Sequence, residues 1–327
     1  MRVAMIGAGW IAEDHVERIA RADDLELTAI CDLDEARARA LAGGAAIYTD
    51  WREMVERESP DVLFVCTPPM HHREPTLAAL ERGIHVYLEK PIARGLEDAR
   101  AIVEAAAHAE AVCAIGYQWR GVAALDPLRE ALAGQEIGLL IGIGRGPTQS
   151  RPWFLDRAQG GGNLLERASH IIDLERAVGG EVVAVQAAAS PVPLAQSVGV
   201  ERGDIEDAAA LILRFENGGV GAVQIAWTRD EMPRRYSLDV LAGDASLHLE
   251  LDPSFELAGR AGGADVEAGA GTPHPSDRTL ARFAQAARSG DRDAVFCTPA
   301  QAAGSLAVVL ACEEAVATGR TVDVPSW

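Results

Sequence analysis

The sequence predicts a two-domain α/β protein: a doubly wound parallel sheet, then an α+β domain with an open, mainly antiparallel sheet. Three observations carry this. Strand-like and helix-like segments alternate through the first 120 residues at the spacing of βα units. Strands and hairpin turns dominate much of the remaining chain. A chain of 327 residues, 48% hydrophobic and 24% charged, is long and apolar enough for two cores. The expected division is 1–120 and 121–327.

In order, RVAMIG reads as a short apolar strand and residues 9–21 as a helix, followed by the strand LELTAICD and a helical run over 33–42. DVLFVCT is a continuous apolar run of the kind buried on both faces of a parallel sheet. HREPTLAALERG is helical and stops at Gly83; IHVYLEK, LEDARAIVEAAAHA and AVCAIGY continue the alternation. A short helix over 127–133 then leads to IGLLIGIG and the Arg- and Trp-bearing stretch GRGPTQSRPWFLDRAQGGG, and a helix is expected over 163–178. EVVAVQAAA and DAAALILRFENGGVGAVQIAWT are strands, with a hairpin at Asn217-Gly218. YSLDVLAGDASLHLEL turns at Gly243-Asp244, 257–276 reads as loop, and helices over 277–288 and 299–318 close the chain. The last could pack back on the first domain.

The bulk numbers exclude several classes. A formal charge of −19 would repel nucleic acid and anionic membranes. No apolar run reaches the ~18–20 residues of a membrane span, and no signal segment precedes the first strand, so a cytoplasmic protein is expected. The five cysteines are scattered without disulfide or zinc spacing, which fits a reducing compartment and indicates no metal. Of the 30 basic residues 29 are Arg, and the one Lys is Lys90. An amine can change its protonation state where a guanidinium cannot.

GAGWIA (7–12) follows a strand and opens a helix, the setting of a Rossmann dinucleotide fingerprint. Gly7 permits the tight turn, Gly9 lets the backbone approach a pyrophosphate, and Ala12 is the small third residue. The helix that begins with Trp10 and Ile11 offers N–H groups and a positive dipole end to phosphates. Asp32, at the end of the second strand, would accept hydrogen bonds from ribose hydroxyls and repel a 2′-phosphate, favouring NAD over NADP. Its alternative role is N-cap of the helix over 33–42.

GAGWIA, CTPPMHH (66–72) and HVYLEKP (85–91) together resemble the glucose-fructose oxidoreductase and inositol dehydrogenase family, Gfo/Idh/MocA. The likeness extends through GGGNLLERASHIIDL (160–174) and EDAAALILRFENG to ACEEAVATGRTV, nearly the whole chain. The resemblance implies Thr67, Pro68 and His72 beside the nicotinamide end of the cofactor, Glu89 near its ribose, and Lys90 against the substrate hydroxyl. It implies His170 as the catalytic histidine and Glu166 as the acid four residues before it. Here the chain departs from the family, where Asp is common at 166 and Asn is frequent at the second proline of CTPP. The family also commonly forms dimers or tetramers through its open sheet.

Glu166, His170 and Asp173 fall at i, i+4 and i+7, so a regular helix would show two carboxylates bracketing an imidazole on one face. Oxidising a secondary alcohol needs a hydride acceptor and a base for the hydroxyl proton, and an imidazole suits that exchange. Lys90 would stabilise the developing alkoxide. The plainer alternatives are a packed histidine at 170, solvated carboxylates at 166 and 173 (or a structural pairing for Asp173), and a surface lysine at 90. His15, His71, His85, His108, His248 and His274 receive no role beyond surface or packing. Trp119, Arg120, Arg145, Arg151, Trp153 and Arg157 flank the expected pocket in sequence; aromatic faces suit a sugar ring and Arg forks an acid group.

The leading reading is an NAD-dependent oxidoreductase acting on a secondary alcohol or ketone of a sugar, inositol or related polyol, working as a homodimer or homotetramer. One alternative is an enzyme that keeps and recycles its NAD, in sugar–sugar oxidoreduction or redox-assisted glycoside cleavage. Another is a non-catalytic NAD-binding regulator.

Overall fold

The computed structural model describes residues 1–147, 152–190, 192, 205–229, 232–269 and 273–327. The chain divides into two units: Met1–Tyr117 with Asp277–Ala303, and Gln118–Ser276 with Gly304–Trp327. The first unit takes in most of a helix from late in the chain. The closing helix is shared, with Pro299–Ala303 in the first unit and the rest in the second.

The first unit runs β1 (Arg2–Ile6), α1 (Trp10–Arg21), β2 (Glu26–Cys31), α2 (Glu35–Leu41), β3 (Ala46–Tyr48), α3 (Trp51–Glu58), β4 (Val62–Val65), α4 (Arg73–Glu81), β5 (His85–Leu88), α5 (Leu96–His108) and β6 (Cys113–Ile115). Its strands form a parallel sheet in the order β3-β2-β1-β4-β5-β6. β4 is buried along its whole length, as the apolar run DVLFVCT requires of a strand covered on both faces. β3 and α3 go beyond the sequence expectation. α2 begins later than expected: its N-cap is Asp34, whose side chain accepts the Ala36 N–H, so Asp32 does not cap it.

The second unit holds α6 (Leu125–Ala131), β7 (Ile137–Pro147), a π-helical turn (Leu164–Ala168) running into α7 (Ser169–Gly179), β8 (Val182–Ser190), β9 (Ala208–Phe215), β10 (Val220–Thr228), β11 (Arg235–Ala242), β12 (Ala245–Asp252), β13 (Leu257–Ala261) and β14 (Ala264–Ala268). Then come α8 (Pro275–Ser289), which belongs to the first unit from Asp277 on, α9 (Pro299–Thr318) and β15 (Val322–Asp323). Among the described residues the sheet has nine strands, β14-β13-β12-β11-β7-β10-β9-β8-β15, antiparallel except for β7 beside β10.

Register separates its faces. Leu213, Gly221, Leu140, Val240 and Leu247 align across five strands on the face covered by α7. On the opposite face Ile212, Ala222, Ile141, Asp239 and His248 align in the next row, and Ile212 is 46% exposed.

Two expectations are corrected. The stretch 257–276 is not all loop, because β13 and β14 form a hairpin that extends the sheet from β12. Its Gly262-Gly263 turn has φ +58° and +76°, suiting a tight hairpin, while an existing strand edge pairs the Ala- and Gly-rich segment despite weak propensity. The helix over 163–178 is not regular either, since it opens with the π turn. α9 is long and apolar enough, by length and composition alone, to cross a membrane, but most of it is buried inside the protein.

Candidate functional site

In the first unit the strand order reverses between β1 and β4, where parallel sheets open a crevice beyond their C-terminal ends. Gly7 occupies the turn after β1 with φ +93°, and a Cβ there would lie 2.7 Å from the carbonyl oxygen of Cys66. Gly9 differs: its backbone is ordinary, and a Cβ would meet no protein atom within 4 Å. That open space lies at the start of α1, which no side chain caps. Trp10 is 48% exposed there and Ile11 half-buried. Asp32 is half-buried and fixed by two backbone donors, Ala8 N–H to Oδ2 at 2.7 Å and Asp34 N–H to Oδ1 at 2.9 Å. The buried Thr67 hydroxyl, at the end of β4, has no hydrogen-bond partner. An uncapped helix end, space over Gly9, an anchored carboxylate and an unsatisfied hydroxyl fit a bound dinucleotide.

Further along the same sheet end, Glu89 is buried and Lys90 half-buried just after β5. Glu89 Oε1 lies 2.7 Å from His15 Nε2, and its Oε2 accepts the Lys90 N–H at 3.1 Å. Sequence reasoning missed His15, since an isolated histidine in a helix carries no pattern. Pro68 is half-buried in the adjoining loop. His72 is not where a cofactor contact needs it. It is fully buried, with Nε2 2.8 Å from Thr67 O and Nδ1 3.3 Å from Ile92 O, bracing two loops from inside. Burial lowers its pKa from the ordinary value, despite these carbonyls.

In the second unit Trp119 is buried between His170 (ring centroids 4.9 Å apart) and Tyr236 (5.0 Å). His170 and Glu166 are half-buried. Beneath Tyr236 the buried Arg167 donates to the carbonyls of Gly146, Ala226 and Pro147 at 2.9, 2.5 and 3.0 Å, with its guanidinium 5.7 Å from the tyrosine ring. Burial pushes the Tyr236 hydroxyl up to about 12, so it stays a hydrogen-bond donor at neutral pH. Tyr236 also escaped the sequence reading, because strand register alone brings it beside Trp119.

The regular helix that the i, i+4, i+7 spacing assumes is not present here: Glu166 lies in the π turn, whose i→i+5 bonding departs from 3.6 residues per turn. Asp173 turns to Arg120, which donates Nε to Oδ2 at 2.7 Å and a terminal nitrogen to Oδ1 at 2.9 Å; Ser305 also donates to Oδ1, at 2.8 Å. This buried fork gives Arg120 and Asp173 to each other, correcting their expected place in substrate contact. Arg157 is paired with the buried Glu206 at 2.7 Å, Arg145 is exposed, and Trp153 stacks on Phe154 at 3.9 Å. Arg151 lies outside the described residues.

A parallel sheet with a glycine turn at its switch point and an acid ending β2 defines a dinucleotide-binding protein. Residues 1–117 match the oxidoreductase family with an NAD-binding Rossmann fold, and 128–264 match the GFO/IDH/MocA C-terminal domain. D-glucoside 3-dehydrogenase of Escherichia coli (strain K12) is 31% identical over 242 residues, covering 67% of this chain and 68% of that protein. Myo-inositol 2-dehydrogenase of Thermotoga maritima is 31% identical over 230 residues, covering 68% and 67%. The structure of levoglucosan dehydrogenase with NADH and levoglucosan superposes with a TM-score of 0.86 over 100% of both chains at 22% identity, a likeness of fold. The chain belongs to the GFO/IDH/MocA family of NAD-binding oxidoreductases.

Proposed function

We propose that this chain oxidises a secondary alcohol of a neutral sugar, inositol or related polyol, or reduces the matching ketone, with NAD preferred over NADP. The observation that carries the reading is Lys90, the only lysine, standing after β5 at the sheet end where the Gly7 turn and Asp32 also stand. Relatives over two-thirds of the chain are named for glucoside and inositol oxidation. Bound NAD supplies the hydride acceptor. Asp32, its two oxygens directed by backbone donors, accepts from ribose hydroxyls and repels a 2′-phosphate. Gly7, Gly9, Trp10, Ile11, Thr67 and Pro68 surround the cofactor.

Lys90 donates to the substrate oxygen and stabilises the charge that develops there. His170, with the Trp119 ring tilted against its own, takes the hydroxyl proton, and Glu166 assists it. Trp119 and Tyr236 offer an aromatic wall and a hydroxyl donor to a sugar ring. Arg120, Arg157 and Arg167 are engaged by Asp173, Glu206 and backbone carbonyls, which favours a neutral substrate over an acidic one at those three positions.

The outer face of the second sheet, with Ile212, Val220 and Leu241 at 46%, 38% and 42% exposed, fits a second copy of the chain. Five buried, free thiols fit the cytoplasm.

The test is NADH formation by wild type and Lys90→Met across inositols, aldoses, glycosides and uronic acids. Turnover of neutral compounds that collapses in the variant is the expected result. Equal turnover by the variant would overturn the role of Lys90, and a preference for uronic acids the neutral-substrate reading.

A further inference from the structure

His15 has no part in the roles above, yet its contact with Glu89 is among the most enclosed polar contacts of the first unit. His15 lies on α1 and is 3% exposed, with Phe64 and Tyr87 set edge-on to its ring at 5.3 and 5.2 Å. Its Nε2 meets Glu89 Oε1 at 2.7 Å, while its buried Nδ1 has no hydrogen-bond partner. The ring therefore has one polar contact, made by donating Nε2–H to Glu89. A Cβ at residue 116 would lie 2.9 Å from Glu89 Oε1, so the seat of the carboxylate depends on Gly116. The other oxygen, Oε2, accepts the backbone N–H of Lys90.

We propose that His15 is a positioning residue that ties the phosphate-binding helix to the Lys90 loop. α1 begins just after Gly9, its N-cap, where a pyrophosphate would sit, and His15 lies on that same helix. Its bond to Glu89, and the bond from Glu89 to the Lys90 backbone, fix the spacing between the α1 and β5 ends of the crevice. A full dinucleotide spans both ends and needs that spacing, whereas ADP reaches only the α1 and Asp32 end. Each Glu89 oxygen keeps a second lone pair for a ribose hydroxyl. The inference rests on the reading of Glu89 and Lys90 as lying at the cofactor.

The test compares NADH and ADP affinities, by fluorescence and calorimetric titration, in full-length wild type, His15→Phe, His15→Gln and Glu89→Gln. Phe keeps the aromatic packing and lacks the donor, while Gln restores an N–H at similar reach. His15→Phe is expected to weaken NADH binding about tenfold, as loss of a hydrogen bond to a charged group does, and to leave ADP binding unchanged. His15→Gln is expected to recover most of the loss. Should the Phe variant not fold, His15→Leu takes its place with the same expectations. NADH and ADP binding weakened equally, or neither weakened, overturns the proposal. If Glu89→Gln also binds NADH as wild type does, the placing of Glu89 at the cofactor fails; if it weakens NADH while His15→Phe does not, only the role of His15 fails.

Discussion

Gly7 and Gly9 stand two residues apart in one turn, yet the same substitution would act on them in different ways. Alanine at Gly7 meets both a positive φ and the Cys66 carbonyl, so Gly7→Ala is expected to cost about 1–3 kcal/mol and lower Tm along with NADH affinity. At Gly9 the backbone tolerates alanine and the new methyl reaches no protein atom. Gly9→Ala is therefore expected to keep its Tm and lose NADH affinity about tenfold or more, through the space it takes from the pyrophosphate. Thermal unfolding and NADH titration of both variants separate the two cases. Glu175 poses a different residue-scale problem. It is fully buried, and its carboxyl fits only because Gly142 and Gly221 present no side chains to it. Burial pushes it up to about 8 from an ordinary 4.5. The folded protein keeps that proton where the unfolded chain has released it, so stability falls as pH rises from about 4.5 to about 8, and this group adds no further loss above that. Glu175→Gln is expected to flatten the decline of Tm between pH 5 and 8 and to be more stable than wild type at pH 8.

At the scale of elements, Asp173 joins three segments. It links α7 to the short turn carrying Arg120 and, through Ser305, to α9, where Ser305 also accepts from Arg176 at 2.7 Å. Asp173→Ala leaves the Arg120 charge buried without this carboxylate, and the expected loss is about 3–5 kcal/mol, read as a lowered denaturation midpoint. Trp119 adjoins Arg120 and packs against the His170 ring, so turnover is expected to fall as well. This link was half legible. The i, i+7 spacing from Glu166 to Asp173 is in the sequence, but spacing assumes 3.6 residues per turn, and the π turn breaks that assumption locally. The β13–β14 hairpin was illegible for a related reason. Its Ala- and Gly-rich strands carry little preference of their own and are ordered by the edge of β12.

For the whole molecule, the outer face of the second sheet leaves large apolar side chains exposed. Leu139, Ile141 and Ala222 lie on that face beside the exposed Ile212, Val220 and Leu241. A double substitution Ile212→Glu and Leu241→Glu places charges where copies would meet, and sedimentation is expected to show wild type as a dimer or larger and the variant as monomer. An unchanged assembly would place the interface elsewhere.

The sequence by itself determined the class of each half. Alternating apolar strands and helices dictate a parallel sheet, and the Gly7 turn and the position of Asp32 after β2 stand where the sequence puts them, because they depend on contacts a few residues long or on one strand's end. Lys90 stood out through composition alone. Tertiary structure decided the partners of the charged and aromatic groups: Arg120 with Asp173, Arg157 with Glu206, His72 with two carbonyls, Trp119 with Tyr236 and His15 with Glu89. The physical reason is that burying a polar side chain obliges it to find a partner, and that partner is chosen by which elements pack together rather than by proximity along the chain.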